Sequence, residues 1–181
     1  TGLGFPTDLK ISGKDIDFED LKILNYLLPP EAKDPTGHTD LKIKITGEIS
    51  KETQITSIAP LLDLNAKGEA TLRQADIGGI PIEEGKINLQ WKDRNLIFSN
   101  CFLKIQEEEL TFDFAYGNDN SLKGKLLGIV DLYTLRKFTN RYGKLGGKLG
   151  LSLVVEGEPN NLSLATNFWL EKPRFNLIEL E

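Results

Sequence analysis

The side chains that most often do chemistry in proteins are scarce in this chain. His38 is its only histidine and Cys101 its only cysteine, so a Ser/His/Asp or Cys/His catalytic arrangement would have to use one of them. His38 lies between Gly37 and Thr39 and has no fixed partner in the sequence, which predicts a solvated loop residue. Cys101 falls within a strand-like run and is predicted to be a small packed hydrophobe. A single cysteine also allows no internal disulfide and no cysteine-based zinc site.

Two charged motifs offer weaker chemistry. Asp15, Asp17 and Glu19 are spaced to lie on one face of a strand, where they could bind a divalent cation, although such a row more commonly marks a solvated face. The segment Gly143–Lys148 (GKLGGK) lacks the spacing of a phosphate-binding loop, and Leu149 stands where that loop has Ser or Thr. It is predicted to be a glycine-rich turn, and Glu107–Glu109 a charged turn between two strands.

These residues predict a protein with no enzyme activity, no catalytic residues, no cofactor and no metal. General acid–base and nucleophilic mechanisms need several suitable groups placed together, and the sequence offers few. A carboxylate-only glycoside-active domain stays open as a less favoured alternative, because two paired acids suffice for that reaction.

The composition is that of an ordinary folded chain. Of 181 residues, 39% are hydrophobic and 27% charged, and the formal net charge of −5 gives no basic footprint for nucleic acid. The sequence contains no run of about 18 apolar residues, so no transmembrane helix is predicted. The chain contains no Met and no Pro-, Gly- or Ser-rich linker. We therefore expect residues 1–181 to be one β-rich segment of a longer protein.

The elements that would position any site are predicted from alternation. From Leu41 onward, apolar and polar residues alternate with a period of two, which is typical of strands with one apolar and one polar face. We expect roughly nine to twelve strands, mainly antiparallel. The apolar rows are Leu41/Ile43/Ile45, Leu64/Ala66/Leu72, Ile87/Leu89/Trp91, Leu110/Phe112/Phe114, Leu149/Leu151/Leu153 and Leu162/Leu164/Phe168.

Two segments interrupt this alternation with helical spacing. Asp20–Leu28 ends at Pro29, and Asp131–Tyr142 ends at Gly143, so both are predicted as short amphipathic helices, or otherwise as loops with buried leucines. Asp93–Asn95 and Gly117–Asn120 are predicted turns.

A unit of strand, glycine, short leucine-rich stretch, glycine and strand recurs along the chain. It runs from Leu9 to Gly47, again from Gly47 into the strand that contains Gly68, and again from Leu126 to Gly157. Repeats of this kind are typical of an elongated sheet that grows by addition of strands.

The pattern of aliphatic residues and glycines resembles the TamB/AsmA-like family. The similarity covers most of residues 37–170 and is carried by Leu64–Leu72 (LNAKGEATL), Ile77–Ile82 (IGGIPI), Gly85–Ile87 (GKI), Leu96–Phe98 (LIF), Leu126–Leu132 (LLGIVDL) and Gly147–Leu153 (GKLGLSL). The family consists of long periplasmic proteins anchored in the inner membrane of diderm bacteria, with relatives in the plastid envelope.

The resemblance implies a fold, a function and partners. The implied fold is an elongated, twisted, all-β sheet folded into an open trough (a β-taco), with one or two short helices. The implied function is transport of lipid acyl chains between the inner and outer membranes or envelope assembly, with an outer-membrane barrel of the BamA/TamA type as partner of the parent protein. The chain lacks a recognisable barrel-docking ending, so no partner-binding residue can be assigned.

We accordingly expect the six apolar rows to line a non-enzymatic groove for acyl chains, with lipid and neighbouring segments of the same long chain as partners. Two alternatives stay open at this point. The rows could form an ordinary closed sandwich core, or the chain could be a scaffolding module whose sheet edges recruit neighbours by strand addition.

Overall fold

The computed structural model describes residues 5–21, 34–49, 64–132 and 144–176. Nine β-strands and one short 3-10 turn account for nearly all of them. The strands are β1 (Phe5–Asp17), β2 (Thr36–Ile49), β3 (Asn65–Ile77), β4 (Ile80–Lys92), β5 (Asn95–Ile105), β6 (Glu108–Tyr116), β7 (Leu122–Asp131), β8 (Lys144–Glu158) and β9 (Asn161–Asn176), and the 3-10 turn is Phe18–Asp20.

All nine strands belong to one sheet, in which each strand pairs antiparallel with the next one along the chain. The sheet is open and uncurled, with β1 and β9 at its two edges. The prediction of an all-β, mainly antiparallel, open sheet is confirmed, and the described strands form it without curling into the trough that the resemblance implies. Both predicted helices lie mainly outside the described residues: Asp20 belongs to the 3-10 turn, Asp131 ends β7, and 22–28 and 133–142 are not described.

The hairpin turns form where the sequence supplies the right residues. Asp93 and Arg94 connect β4 to β5 with φ values of 51° and 62°, and a two-residue loop with both φ values positive matches the twist of the flanking strands. Gly78 and Gly79 make the corresponding loop between β3 and β4, with φ values of 63° and 80°. The turn predicted at Gly117–Asn120 is also confirmed, closed by the Gly117 N–H, which donates to the Ser121 carbonyl at 2.7 Å.

Four bulges bend the described strands. An extra residue lies in β1 near Asp15, in β3 near Gln74, in β5 near Asn100 relative to both of its neighbours, and in β9 near Lys172. Asp15 and Asn100 have φ values of 55° and 51°, as expected for an extra residue that the ladder cannot pair.

The tightest packing lies at one end of the sheet. Phe18, in the 3-10 turn, packs with strand residues from β3, β4 and β5, and Leu21 packs against the same group. We call this group the end core. It consists of Phe18, Leu72, Ala75, Ile82 and Ile105, which are 3% to 6% exposed.

Candidate functional site

The pairing register joins the predicted apolar rows into one surface. In an antiparallel pair, residues directly opposite each other project from the same face. Ile43 pairs with Gly68, Gly68 with Leu89, and Leu89 with Phe98. Phe98 then pairs with Phe114 in the same way.

The same chain of pairs continues to the far edge. Phe112 pairs with Leu126, Leu126 with Leu153, and the neighbouring Leu151 with Phe168. We call this surface, which crosses all nine strands, the apolar face. Every predicted row contributes to it, and Leu9 and Ile11 of β1 extend it to the opposite edge.

Burial along the apolar face is graded. Within the end core, Leu72 is only 4% exposed, whereas most of the face is half-buried. At the β9 edge, Leu164 is 64% and Phe168 71% exposed, and at the β1 edge Leu9 is 48% exposed. Large side chains at both rims are therefore open to contact.

Strand β3 forms a low strip in this face. Ala66, Gly68 and Ala70 carry little or no side chain, while the paired positions on β2 and β4 carry isoleucine, leucine and tryptophan. A Cβ built at Gly68 would lie 3.8 Å from side-chain atoms of Ile43 and Leu89, so both walls lean towards the strip. The low strip is therefore bordered on both sides by apolar side chains of β2 and β4.

Two of the residues predicted to line the groove are not accessible. Leu64 and Leu72 are 5% and 4% exposed, so they are packed core side chains and not accessible lining. Trp91 is half-buried near the end of β4, where it pairs with Ala66 of β3 and Leu96 of β5, and it stays a predicted lining residue.

The opposite face carries the charged side chains, and two grooves cross it. One groove, of about 500 Å³, spans β5 to β8, and its lysines face carboxylates. Lys123 lies 2.8 Å from Glu156, and Lys125 is paired directly opposite Asp113. A hydrogen bond from Lys123 lowers the pKa of the Glu156 carboxyl.

Glycosidase chemistry needs a general acid with a raised pKa, so the lowered pKa of Glu156 is of the wrong sign for that role. The Asp113 carboxylate is also engaged, since it accepts a hydrogen bond of 2.7 Å from the Asn100 N–H. The carboxylate-only alternative therefore finds no support in this groove.

The second groove, of about 660 Å³, spans β1 to β5 and is dominated by lysines. Its floor is the backbone of alternate residues such as Ile43 and Gly68. Its walls are the side chains of the residues just before and just after them in each strand. Because the next apolar-face side chains, such as Ile45 and Ala66, do not line it, the groove belongs to the charged face. It was not predicted from the sequence. Its wall residues include Lys10, Lys42, Lys44, Lys67, Glu69, Asn88 and Gln90.

His38 is a strand residue, so the prediction of a solvated loop residue was wrong. It lies in β2 between Asp17 of β1 and Arg73 of β3. Its Nδ1 atom is buried, has no hydrogen-bond partner, and lies 3.7 Å from Asp15 Oδ1. Gly37, where φ is 110°, lies opposite the bulge of β3 near Gln74, and the pairing register resumes at His38.

The acidic row of β1 is not a row of three. Asp15 lies at the bulge, where its carboxylate accepts from Arg73 at 3.4 Å. Asp17 Oδ1 accepts from the Glu19 N–H at 3.0 Å and caps the 3-10 turn, so Glu19 lies beyond the strand. Across the described ranges, no group of three or more His, Cys, Asp or Glu side chains is placed to hold a metal ion.

Cys101 is packed as predicted. It is 1% exposed in β5, and the Asn88 N–H donates to its Sγ atom at 3.3 Å. Burial raises the pKa of the thiol, which keeps it protonated and unreactive at neutral pH.

The two predicted turns rich in glycine or glutamate are only partly turns. Lys144–Lys148 belongs to β8, so the prediction of a glycine-rich turn was wrong there. Gly147 lies opposite the extra residue of β9, and its carbonyl accepts from the Leu132 N–H at 2.9 Å. Glu107 lies in the β5–β6 turn, but Glu108 and Glu109 begin β6, and Glu108 accepts a hydrogen bond from Lys148.

Within the described residues, no helix has the length and apolar character needed to cross a membrane. Comparison with protein-family models, with curated proteins and with solved structures finds no match. The similarity to the TamB/AsmA-like family therefore stays a prediction from the residues quoted above.

Proposed function

We propose that this chain is a non-enzymatic segment of an apolar conduit, which shields lipid acyl chains from water. The observation that carries the proposal is the continuity of the apolar face over nine strands, with large exposed side chains at both rims. Contiguous exposed apolar surface of this kind marks a binding surface more often than an ordinary protein exterior.

The energetics of such a conduit are simple. Each acyl methylene that leaves water contributes about 0.8 kcal/mol, so a long tail can be held without any polar contact. The low strip along β3 carries no bulky side chains, and the residues of β2 and β4 on either side of it supply apolar contacts. Because no directional bond is required, a tail could slide from one row to the next.

The wider setting of the proposal comes from the resemblance stated above. It includes a trough formed by the parent sheet, a location in the periplasm or the plastid envelope, and transport or envelope assembly between two membranes. Neighbouring segments of the same chain would extend the face at the β1 and β9 edges, and a BamA/TamA-type barrel would bind the parent protein. The open, antiparallel sheet that grows strand by strand is compatible with this arrangement.

Photocrosslinking from matched positions tests the proposal. Leu151 and Leu127 are both leucines in adjacent strands, but Leu151 lies on the apolar face and Leu127 lies on the charged face with 54% exposure. A photoreactive residue at 151 in the parent protein should trap lipid, detected by mass spectrometry, and the same residue at 127 should not. Equal lipid adducts at both positions would contradict the conduit.

Strand addition is the second candidate, and the β9 edge favours it. Asn161–Leu170 contains no charged residue and no proline, whereas β1 carries Pro6, Asp8 and Lys10 and a bulge at Asp15. Charges, proline and bulges protect an edge from pairing, and β9 lacks them over these ten residues. A scaffolding module would give protein adducts rather than lipid adducts from position 151, so the same experiment separates the two candidates.

A further inference from the structure

Three lysines form a ladder across the charged face. Lys10 of β1 pairs directly with Lys44 of β2, and Lys44 pairs directly with Lys67 of β3. Like charges directly opposite one another destabilise a sheet, so an unrelieved ladder of three is an unfavourable arrangement. The chain has a net charge of −5, so an excess of lysine in the composition does not explain it.

The nearby carboxylates neutralise this ladder only in part. Asp8 Oδ1 lies 3.8 Å from Lys44 Nζ, and in the described ranges neither Lys10 nor Lys67 makes an ion pair. Glu69 lies 3.9 Å from Lys42 and only 3.0 Å from Lys86, so its charge is directed mainly towards Lys86. Four exposed lysines therefore line one groove whose lining contains one carboxylate, Glu69, with Asp8 beside Lys44.

The groove has room for a negatively charged ligand. It occupies about 660 Å³, and Lys10, Lys44 and Lys67 stand along one wall with Lys42 on the other. Neighbouring strands lie about 4.8 Å apart, so three ammonium groups span roughly 10 Å. A phosphate monoester carries close to two negative charges at neutral pH, and the phosphodiester of a lipid headgroup carries one. Both present acceptor oxygens, which lysine binds as a point charge.

The excess of positive charge is a local feature, because the first groove of the same face, over β5 to β8, does not share it. That groove is of comparable size, but each of its lysines faces a carboxylate, Lys123 with Glu156 and Lys125 with Asp113. It offers no comparable excess of positive charge.

We propose that the lysine-lined groove over β1 to β3 binds a phosphate group, either of a free phosphate compound or of a lipid headgroup. The site lies on the face opposite the proposed acyl-chain surface, so the two proposals stand or fall separately.

Titration of the purified chain with inorganic phosphate and with pyrophosphate tests the proposal, at ionic strength held constant with sodium chloride. Binding is followed by NMR of the lysine Nζ and backbone signals. A parallel arm measures cosedimentation with vesicles of phosphatidylglycerol in phosphatidylcholine, and with phosphatidylcholine alone. Saturable shifts at Lys10, Lys44 and Lys67 would assign a free phosphate compound, and cosedimentation with the anionic vesicles alone would assign a headgroup.

Matched variants decide whether the ladder carries the binding. Lys44→Gln and, separately, Lys67→Gln should weaken binding about tenfold, the effect of losing one charge-assisted contact. Neither should lower the melting temperature without ligand, because each relieves repulsion. Lys125→Gln removes the same charge from the balanced groove and should leave binding unchanged. Equal weakening by Lys125→Gln, or no saturable binding in either arm, would overturn the proposal.

Discussion

The end core and the β9 edge are built from the same kinds of side chain on one sheet, yet they differ sharply in exposure. Leu72 and Ile105 are 4% and 5% exposed, whereas Leu164 and Phe168 are 64% and 71% exposed. The difference arises because Phe18 of the 3-10 turn covers the first region, and no described element covers the second. Apolar residues therefore stabilise the fold in the end core and stay exposed, and open for binding, at the β9 edge.

Truncation of a side chain in the end core should lower the free energy of unfolding more than any of the substitutions that follow. Leu72→Ala removes a buried side chain that packs with Phe18 and Ile105, and such changes cost about 2–5 kcal/mol. We expect a loss of this size in the free energy of unfolding, measured by urea denaturation.

Phe168→Ala is the matched control at the open edge. Phe168 is 71% exposed, so its truncation should change the free energy of unfolding by no more than about 0.5 kcal/mol. A loss as large as that of Leu72→Ala would show that the β9 edge is packed in solution, and the contrast between the two regions would fail.

An intermediate loss of stability is expected from a substitution at Gly150, where β9 packs against β8. The ring of Trp169 lies over Gly150, so that a Cβ at this position would collide with the indole. Gly150→Ala should displace Trp169, shift its fluorescence to the red, and destabilise the protein by about 1–3 kcal/mol.

Gly146→Ala is the control for this pair, because its Cβ would meet only the Arg174 side chain at 3.6 Å, an ordinary contact. It should leave the Trp169 fluorescence unchanged. If both variants behaved alike, the close approach of Trp169 to the β8 backbone would not be what holds this edge.

The sequence predicted local features and missed those that depend on register. Alternation identified the strands and their apolar rows, and residue types identified the turns at Asp93–Asn95 and Gly117–Asn120, because both signals are contained in neighbouring residues. The lysine ladder could not be predicted. Lys10, Lys44 and Lys67 carry no signal individually, and only the pairing of three strands places them side by side.

Bulges account for other errors. Gly37 and Gly147 lie in continuing strands, and the extra residue opposite each of them belongs to the partner strand, near Gln74 and Lys172. Alternation carries no signal for where a ladder absorbs such a residue. A related limit applies to individual members of the apolar rows. Alternation assigns Leu72 to the apolar face but carries no signal for its burial under Phe18, which is distant in sequence.

The central claim, that acyl chains bind the apolar face, is tested most directly by NMR with a spin-labelled fatty acid. Methyl signals of Leu151 and Leu164 lie on that face, and those of Leu127 and Val154 lie exposed on the opposite one. We expect strong paramagnetic broadening of the first pair and little of the second at the same label concentration. Equal broadening of both pairs, or none at Leu151 and Leu164, would contradict the claim.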